Sequence, residues 1–208
     1  MYFPELKLLF AHIPKTGGQS VTHYIEQKII QKWKQVSGNY LSVDNRNYRL
    51  PGPQQLAHMT VLEHKDLNYI QNSEWKKAKK ICVVRNPYDK FVSAYTYYNV
   101  ANINPDPVNW CYNLPKPAKK DITRHFWPQH FYVCGRKGNL IVDKVFYQTN
   151  LDELYNWIDE TYFPKEEKII PEKINVASSK KVELTPELIE AINIVYAKDF
   201  ELFNFDMI

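Results

Sequence analysis

The chain has 208 residues, 44% of them hydrophobic and 24% charged, which is enough for one medium-sized domain with a sizeable core. This composition excludes a disordered chain. The net charge of +4 suits an anionic ligand but falls short of the dense basic stripe of a nucleic-acid binder. We therefore expect a single globular domain over residues 1–208 that does not bind nucleic acid.

Three cysteines, Cys82, Cys111 and Cys134, are too few and too scattered for a disulfide scaffold or a zinc site. Cys82 lies in an apolar run and is expected to be a buried thiol, whereas a bridge between Cys111 and Cys134 stays open. The N-terminal segment lacks the pattern of a signal peptide, and no apolar stretch has the length of a membrane span. We expect a soluble, cytoplasmic protein; a Golgi-lumenal form without its anchor would look the same.

The first half of the chain alternates between apolar runs and amphipathic stretches. A short apolar run predicts a buried strand, and apolar residues three and four apart predict a helix. In order, we expect a strand from Leu6 to Ile13, a helix from Gly17 to Ile30, a loop over residues 37–53, a short strand from Gln55 to Thr60, a helix from Val61 to Asn72 and a buried strand from Lys79 to Val84.

The second half continues this alternation, which predicts an α/β fold with parallel strands. Asn86-Pro87 opens a helix because proline suits the first helical position. Residues 99–120 hold four prolines and predict a surface loop. Further on, we expect two strands around a glycine turn within residues 131–147, a helix over 151–163 capped by Asn150 with Glu153 in capping-box position, and a last helix from Thr185 to about Phe200.

The stretch FAHIPKTGGQS joins the first predicted strand to the first predicted helix. Backbone N–H groups at a helix N-terminus bind anions, and Gly17 and Gly18 let the backbone approach a phosphate closely. Lys15 adds a mobile positive charge, and Thr16 and Ser20 add hydroxyl donors. The Walker motif is absent, because the lysine precedes the glycines. The stretch predicts either an anion-binding loop or a tight turn with an incidental lysine.

A second stretch, RNPYDKFVSAY, has the same form, since it follows a buried strand and opens a helix. Ligands of open α/β sheets bind at the carboxyl ends of strands, where Arg85 lies. Ser93 comes about two turns into the helix, so that Arg85 and Ser93 can hold one phosphate between them. The alternative is that Arg85 pairs with Asp89 and that Ser93 is a surface residue.

Together, HIPKTGG and RNPYDKFVSAY resemble the motifs of the sulfotransferases that use 3′-phosphoadenosine 5′-phosphosulfate (PAPS), above all the carbohydrate (heparan- and chondroitin-type) branch and its short bacterial relatives. The resemblance extends to PQHFYVCGRKGNLIVDKVFYQTNLDEL and VYAKDFELFNFD and so covers most of the chain. It implies a P-loop-like, three-layer α/β fold with a mainly parallel central sheet flanked by helices. It also implies PAPS as the sulfuryl donor and adenosine 3′,5′-bisphosphate (PAP) as the product.

In that family the first motif cradles the 5′-phosphosulfate, and the second binds the 3′-phosphate through residues that correspond here to Arg85 and Ser93. A basic loop over residues 174–184 resembles a late loop that contacts the nucleotide, and it offers Ser179 and Lys180; a solvated loop is the alternative reading. Gln19 departs from the family pattern, in which a small hydroxyl residue is common, although its amide can still donate to a phosphate. The resemblance assigns the 5′-phosphosulfate to Lys15, Thr16, Gly17, Gly18, Gln19 and Ser20.

The resemblance also implies two catalytic residues. Lys15 stabilises the leaving phosphate, and His58 removes the proton from the acceptor hydroxyl in an in-line displacement that requires no metal. The match at His58 is imperfect, because Ala57 stands where the family often has glycine. His12 is expected to orient the loop. The competing candidates for the base are Glu63, His64, His125 and His130.

The acceptor is the least determined part of the function. Aromatic and basic side chains between residues 99 and 124 suit a glycan with anionic groups, but they also suit a solvated loop. We expect a hydroxyl-bearing acceptor, either a glycan or a small alcohol. A P-loop kinase or NTPase, or a non-catalytic nucleotide- or glycan-binding module, is the alternative function. The side chains in question are Trp110, Tyr112, Lys116, Lys119, Lys120 and Arg124.

Overall fold

The computed structural model describes residues 1–34, 44–114, 120–171 and 182–208. These residues form a four-stranded sheet in the order β1-β2-β3-β4. β1 is antiparallel to β2, whereas β2, β3 and β4 are parallel neighbours. The α/β fold with a mainly parallel sheet is therefore confirmed. The strands are β1 (Tyr2–Phe3), β2 (Leu8–Ala11), β3 (Lys79–Val84) and β4 (Lys144–Tyr147).

A turn connects β1 to β2, whereas helices lie between β2 and β3, between β3 and β4, and after β4. Three short 3₁₀ helices lie among the described residues at Leu56–His58, Val100–Asn102 and Gln148–Asn150. The α-helices are α1 (Gly18–Trp33), α2 (Asn45–Tyr48), α3 (Val61–Asp66), α4 (Asn72–Lys77), α5 (Pro87–Tyr97), α6 (Pro107–Tyr112), α7 (Asp121–Phe126), α8 (His130–Val133), α9 (Leu151–Tyr162), α10 (Pro186–Val195) and α11 (Ala197–Phe203).

The sheet is covered on both faces, because successive side chains of a strand point to opposite sides. Leu8 and Phe10 of β2 pack into one apolar cluster with residues of α1 and α9. Leu9 and Ala11 pack into another with residues of α3, α8 and α11. A third cluster joins α5, α6 and α10. The helices thus form a layer on each side of the sheet.

The predicted strand over Gln55–Thr60 is wrong. Leu56–His58 is a 3₁₀ helix, in which the N–H groups of His58 and Met59 donate to carbonyls three residues back. Leu56, Ala57, His58 and Met59 are all buried in succession, which a strand with one exposed face cannot achieve. Thr60 then caps α3 with a capping box, so that the segment ends there.

The predicted pair of strands within residues 131–147 is also wrong in its first half. His130–Val133 is the short helix α8, because the carboxylate of Asp199 accepts hydrogen bonds from the N–H groups of Gln129 and His130 at its start. Only an isolated bridge between Cys134 and Leu140 precedes β4.

Four further predictions need correction. The predicted loop over 99–120 contains α6, which Asp106 caps and which buries Cys111. Asn150 makes no side-chain capping bond to α9. The helix predicted from Val61 ends at Asp66, and the last predicted helix is divided into α10 and α11.

The structure decides the state of the cysteines and tests for membrane spans. All three cysteines are free, so Cys111 and Cys134 are not bridged, and Cys82 is a buried thiol as expected. Within the described ranges, we find no helix whose length and apolar character would let it span a bilayer.

Candidate functional site

The two sequence motifs meet at one edge of the sheet. β2 and β3 are parallel, with Ala11 beside Cys82, so their carboxyl ends open on the same side. The loop after β2 and Arg85 after β3 are in direct contact there, since Nη1 of Arg85 donates to the carbonyl oxygen of Lys15 at 3.2 Å. Residues that are 70 positions apart in the chain are thus neighbours in the fold.

The loop between β2 and α1 is held in one conformation. Gly17 has φ +88° at the N-terminus of α1, where other residues would be strained. A Cβ on Gly18 would lie 2.1 Å from Cδ2 of His12, so only glycine leaves room for that buried imidazole. The hydroxyl of Thr16 donates to the carbonyl of Ile13 at 2.9 Å. Thr16 therefore stabilises the loop through its hydroxyl, and its assignment to the phosphosulfate stays a prediction.

Lys15 lies half-buried at the mouth of this loop. Its Nζ is 4.0 Å from the centre of the Tyr97 ring, a cation–π contact that holds the side chain against α5. Burial, and secondly the positive charge of Arg85, lower the pKa of Lys15. The positive charges of Lys15 and Arg85 repel each other, and an anion bound between the two side chains would reduce that repulsion.

Arg85 has an unused donor inside the protein. Its Nε is buried and has no hydrogen-bond partner. Burial lowers the pKa of Arg85, and the negative charge of the exposed Asp89 opposes that shift. Within the described ranges, however, no ion pair of 4.0 Å or less joins the two side chains. A buried N–H group without a partner is costly, and Nε of Arg124 shares that state. Arg85 differs because its guanidinium contacts the loop at the N-terminus of α1, where an anionic ligand can complete its bonding.

The remaining predicted donor-site residues lie on the two helices that start at this edge. Gln19 is exposed and Ser20 is buried in the first turn of α1. Ser93 is half-buried on α5. Ser179 and Lys180 lie outside the described residues.

His58 is oriented by a carboxylate that the sequence did not reveal. Nδ1 of His58 donates to Oδ1 of Asp121 at 2.6 Å, and the hydroxyl of Tyr98 donates to Oδ2 of Asp121 at 2.7 Å. Burial raises the pKa of Asp121, but the hydrogen bond and charge of His58, with the charge of His125, outweigh it and lower the pKa to about 2. The carboxylate is therefore ionised at neutral pH and leaves Nε2 of His58 as the ring nitrogen that can accept a proton.

The ring of His12 lies between the His58–Asp121 pair and the loop after β2, and the ring of His125 packs on His58 as well. The rings of His12 and His58 meet edge to face at 5.3 Å, and those of His58 and His125 at 4.8 Å. His12 in turn lies against Gly18. Burial, and then the charge of His58, lower the pKa of His125 to about 3, so His125 is neutral and a poor base.

The other candidates for the base are engaged elsewhere. Glu63 accepts two hydrogen bonds from the guanidinium of Arg124, at 2.6 and 2.7 Å. His64 is fully buried, and its Nδ1 donates to the carbonyl of Thr60. His130 donates to the buried carboxylate of Asp199 at 2.7 Å. His58 is the candidate that the fold places beside the loop.

The same cluster has the composition of a metal site. The described part of the chain places one ligand atom each of His58, Asp121 and His125 within 4.8 Å of one another. However, both carboxylate oxygens of Asp121 already accept hydrogen bonds, from His58 and Tyr98. A metal ion bound to Nδ1 of His58 would have to replace the hydrogen bond that orients this ring.

A cavity of about 750 Å³ opens beside Asp121 and Tyr98. Arg46 is tied to Asp44 at 2.6 Å, whereas Arg49 and Lys120 form no ion pair with any described carboxylate. The cavity is therefore lined both by Asp121, the partner of His58, and by the positively charged Arg49 and Lys120. Its lining residues are Asn45, Arg46, Arg49, Leu50, Gly52, Gln54, Tyr98, Lys120, Asp121 and Ile122.

The acceptor residues expected from sequence are scattered in the structure. Lys120 lines the cavity. Arg124 is buried and paired with Glu63, and Trp110 packs edge to face on Phe126 at 5.4 Å, so both have structural roles. Tyr112 is exposed. Lys116 and Lys119 lie outside the described residues.

Comparisons with known proteins indicate the family of the chain. The model of the sulfotransferase family matches residues 1–206. Among curated proteins, the chain is similar to Sulfotransferase 1A1 of Rattus norvegicus, with 36% identity over 55 residues, a match that covers 26% of this chain and 19% of the rat protein. No solved structure is a significant match.

Proposed function

The chain belongs to the sulfotransferase family, and on that premise we propose that it transfers a sulfuryl group from PAPS to a hydroxyl acceptor. The observation that carries the proposal is the buried, unpartnered Nε of Arg85 beside the glycine loop. This observation supports a phosphate site at Arg85 in addition to the one at the glycine loop. A donor that carries phosphate groups at both the 3′ and the 5′ positions of its ribose requires two such sites. A nucleoside triphosphate has no 3′-phosphate to fill the site at Arg85.

The donor would be held from both sides of the β2–β3 edge. Backbone N–H groups of Gly17 and Gly18, at the N-terminus of the 16-residue helix α1, would bind the 5′-phosphosulfate together with Lys15. Thr16, Gln19 and Ser20 complete this loop. Arg85 and Ser93 would bind the 3′-phosphate, and Ser179 and Lys180 would add contacts from the late loop.

The chemistry is an in-line displacement at sulfur. The acceptor oxygen attacks the sulfur atom, and the bond between sulfur and the bridging oxygen of the 5′-phosphate breaks. Nε2 of His58 takes the acceptor proton, while the Asp121 carboxylate holds Nδ1–H and stabilises the imidazolium. Lys15 stabilises the negative charge that develops on the departing phosphate.

The cavity beside Asp121 is our candidate for the acceptor site. Its volume suits a sugar unit or a small alcohol. Arg49 and Lys120 on its wall favour an acceptor that carries a carboxylate or sulfate near the hydroxyl that reacts. We therefore propose a glycan as the first class of acceptor to test, with small alcohols as the second.

Sulfate transfer from PAPS to a panel of glycans, lipids and small alcohols tests the proposal. We expect turnover with at least one acceptor and a fall of about 10²-fold or more in Lys15→Ala and in His58→Ala. Lys137→Ala, which changes an exposed lysine outside the proposed site, should leave the rate unchanged. If PAP binds but no acceptor turns over, the chain is a binding module and not an enzyme. Magnesium-dependent ATP hydrolysis would instead support a kinase or NTPase.

A further inference from the structure

Gln129 makes an unusual pair of contacts at the end of β3. Its Oε1 accepts a hydrogen bond from the backbone N–H of Arg85 at 2.9 Å, and its Nε2 donates to the carbonyl of the same residue at 2.7 Å. Gln129 is fully buried. β3 ends at Val84, so the side-chain amide takes the place that a neighbouring strand would have beside the next residue. Both backbone groups of Arg85 are thereby satisfied and its backbone is fixed.

Gln129 is itself held by a buried carboxylate. The backbone N–H of Gln129 donates to Oδ2 of Asp199 at 2.6 Å. Oδ1 of Asp199 accepts from the N–H of His130 at 2.9 Å and from its Nδ1 at 2.7 Å. Asp199 is fully buried on α11, packed in the core of the fold. A series of contacts therefore links α11 to the glycine loop: Asp199 binds the backbone of Gln129, the side chain of Gln129 binds the backbone of Arg85, and the side chain of Arg85 binds the carbonyl of Lys15.

The Arg85 side chain, which this series of contacts reaches, has an unused donor. Nη1 of Arg85 is bonded to the glycine loop, and its Nε is buried without a partner. A guanidinium binds a phosphate well only when its fork is aimed correctly, and a fixed backbone lowers the entropy lost on binding. By fixing the backbone of Arg85, Gln129 thus influences the orientation in which the guanidinium binds an anion.

We propose that Gln129 is a positioning residue that aims Arg85 at the 3′-phosphate of the donor, and that Asp199 in turn fixes Gln129. This inference rests on the proposed function, because the 3′-phosphate is the ligand. It predicts that Gln129 contributes to affinity only for nucleotides that carry a 3′-phosphate. A residue with a merely structural role would affect all nucleotides alike.

Calorimetric titration with PAP and with adenosine 5′-phosphate separates these cases. We expect wild-type protein to prefer PAP, and Gln129→Met to bind PAP about 10-fold or more weakly while its affinity for adenosine 5′-phosphate stays within about twofold. In an Arg85→Ala background, Gln129→Met should have no further effect on PAP. Gln27→Met, a half-buried glutamine on α1, is the matched control and should leave both affinities unchanged.

Each other outcome overturns a defined claim. Equal losses for both nucleotides, or an unchanged preference for PAP, would refute the positioning role alone. Equal binding of the two nucleotides by wild-type protein would refute the proposed function and this inference with it. Should Gln129→Met fail to fold, Asp199→Asn is the second variant, because it keeps the shape of the side chain but weakens its hydrogen bond to Gln129. We expect Asp199→Asn to show the same selective loss of PAP affinity to a smaller degree. If PAP affinity is not selectively lowered in Asp199→Asn, the positioning role is refuted.

Discussion

Asp121 is the residue on which the proposed chemistry of His58 depends most. It fixes the ring through a 2.6 Å hydrogen bond, and the depressed pKa of its carboxylate, about 2, keeps it charged over the pH range in which an enzyme works. A charged partner stabilises the imidazolium that forms when His58 accepts a proton. An uncharged amide of the same shape would lose that effect and could favour the wrong tautomer.

We therefore predict that Asp121→Asn lowers kcat for sulfuryl transfer by about 10³-fold and leaves PAP affinity unchanged. Tyr98→Phe, which removes the other hydrogen bond to Asp121, should cost much less. Steady-state kinetics and PAP titration measure both quantities. A kcat near that of wild type in Asp121→Asn would mean that the pair does not perform the proton transfer.

Among single residues, the sequence predicts those that belong to a short motif and misses those whose contact partner lies far away in the chain. Lys15, Gly17, Gly18 and Arg85 stand in short motifs at strand ends, and the structure brings them to one edge. Asp121 lies 63 residues after His58, and Gln129 lies 44 after Arg85. No spacing rule links such pairs, because tertiary packing alone brings them into contact.

At the scale of elements, the start of α5 matters because it follows Arg85 directly. The side chain of Asn86 accepts a hydrogen bond from the N–H of Tyr88 at 3.0 Å and so caps the helix that carries Ser93. Asp106 caps α6 in the same way, but α6 carries none of the residues that we propose to bind the phosphates. The two caps therefore form a matched pair, in which one starts a helix with a proposed phosphate-binding residue and the other does not.

We predict that Asn86→Ala and Asp106→Ala each lower the free energy of unfolding by about 1 kcal/mol. Only Asn86→Ala should also weaken PAP binding, because it loosens the helix that presents Ser93. Urea unfolding and calorimetry measure the two effects. Equal nucleotide affinities in both variants would show that the α5 cap does not shape the site.

The sequence predicts a strand or helix correctly where the local hydrophobic pattern matches the burial of that segment in the fold. Lys79–Val84 is a strand with the predicted bounds, because an apolar run buried on both faces has few alternatives. The sequence predicts a strand over residues 55–60 and a first strand at the start of 131–147, whereas Leu56–His58 and His130–Val133 are short helices. Their starts and ends are set by side-chain contacts from elsewhere, such as that of Asp199, which local propensity does not contain.

At the scale of the whole molecule, three buried histidines couple stability to pH. Burial lowers the pKa values of His12, His64 and His125 below the ordinary value of 6.5. The unfolded chain thus binds more protons than the folded protein below pH 6.5, and folding stability falls as the pH falls. Each such histidine contributes up to about 1.4 kcal/mol per pH unit in that range.

We predict that Tm decreases steeply from pH 7 to pH 5, and that the decrease is smaller in His125→Gln because one of the three groups is removed. Thermal unfolding followed by circular dichroism at several pH values measures both slopes. A Tm that is constant between pH 7 and pH 5 would contradict the buried, neutral state of these rings.

The most direct test of the account is a thermal-shift comparison of PAP with ADP and ATP, with and without magnesium. Two phosphate sites at the edge of β2 and β3 predict that PAP stabilises the protein strongly and without magnesium, whereas ADP and ATP do so weakly. Arg85→Ala should remove most of the difference. Stronger, magnesium-dependent stabilisation by ATP would contradict the central claim that the site binds a nucleotide phosphorylated at both its 3′ and 5′ positions.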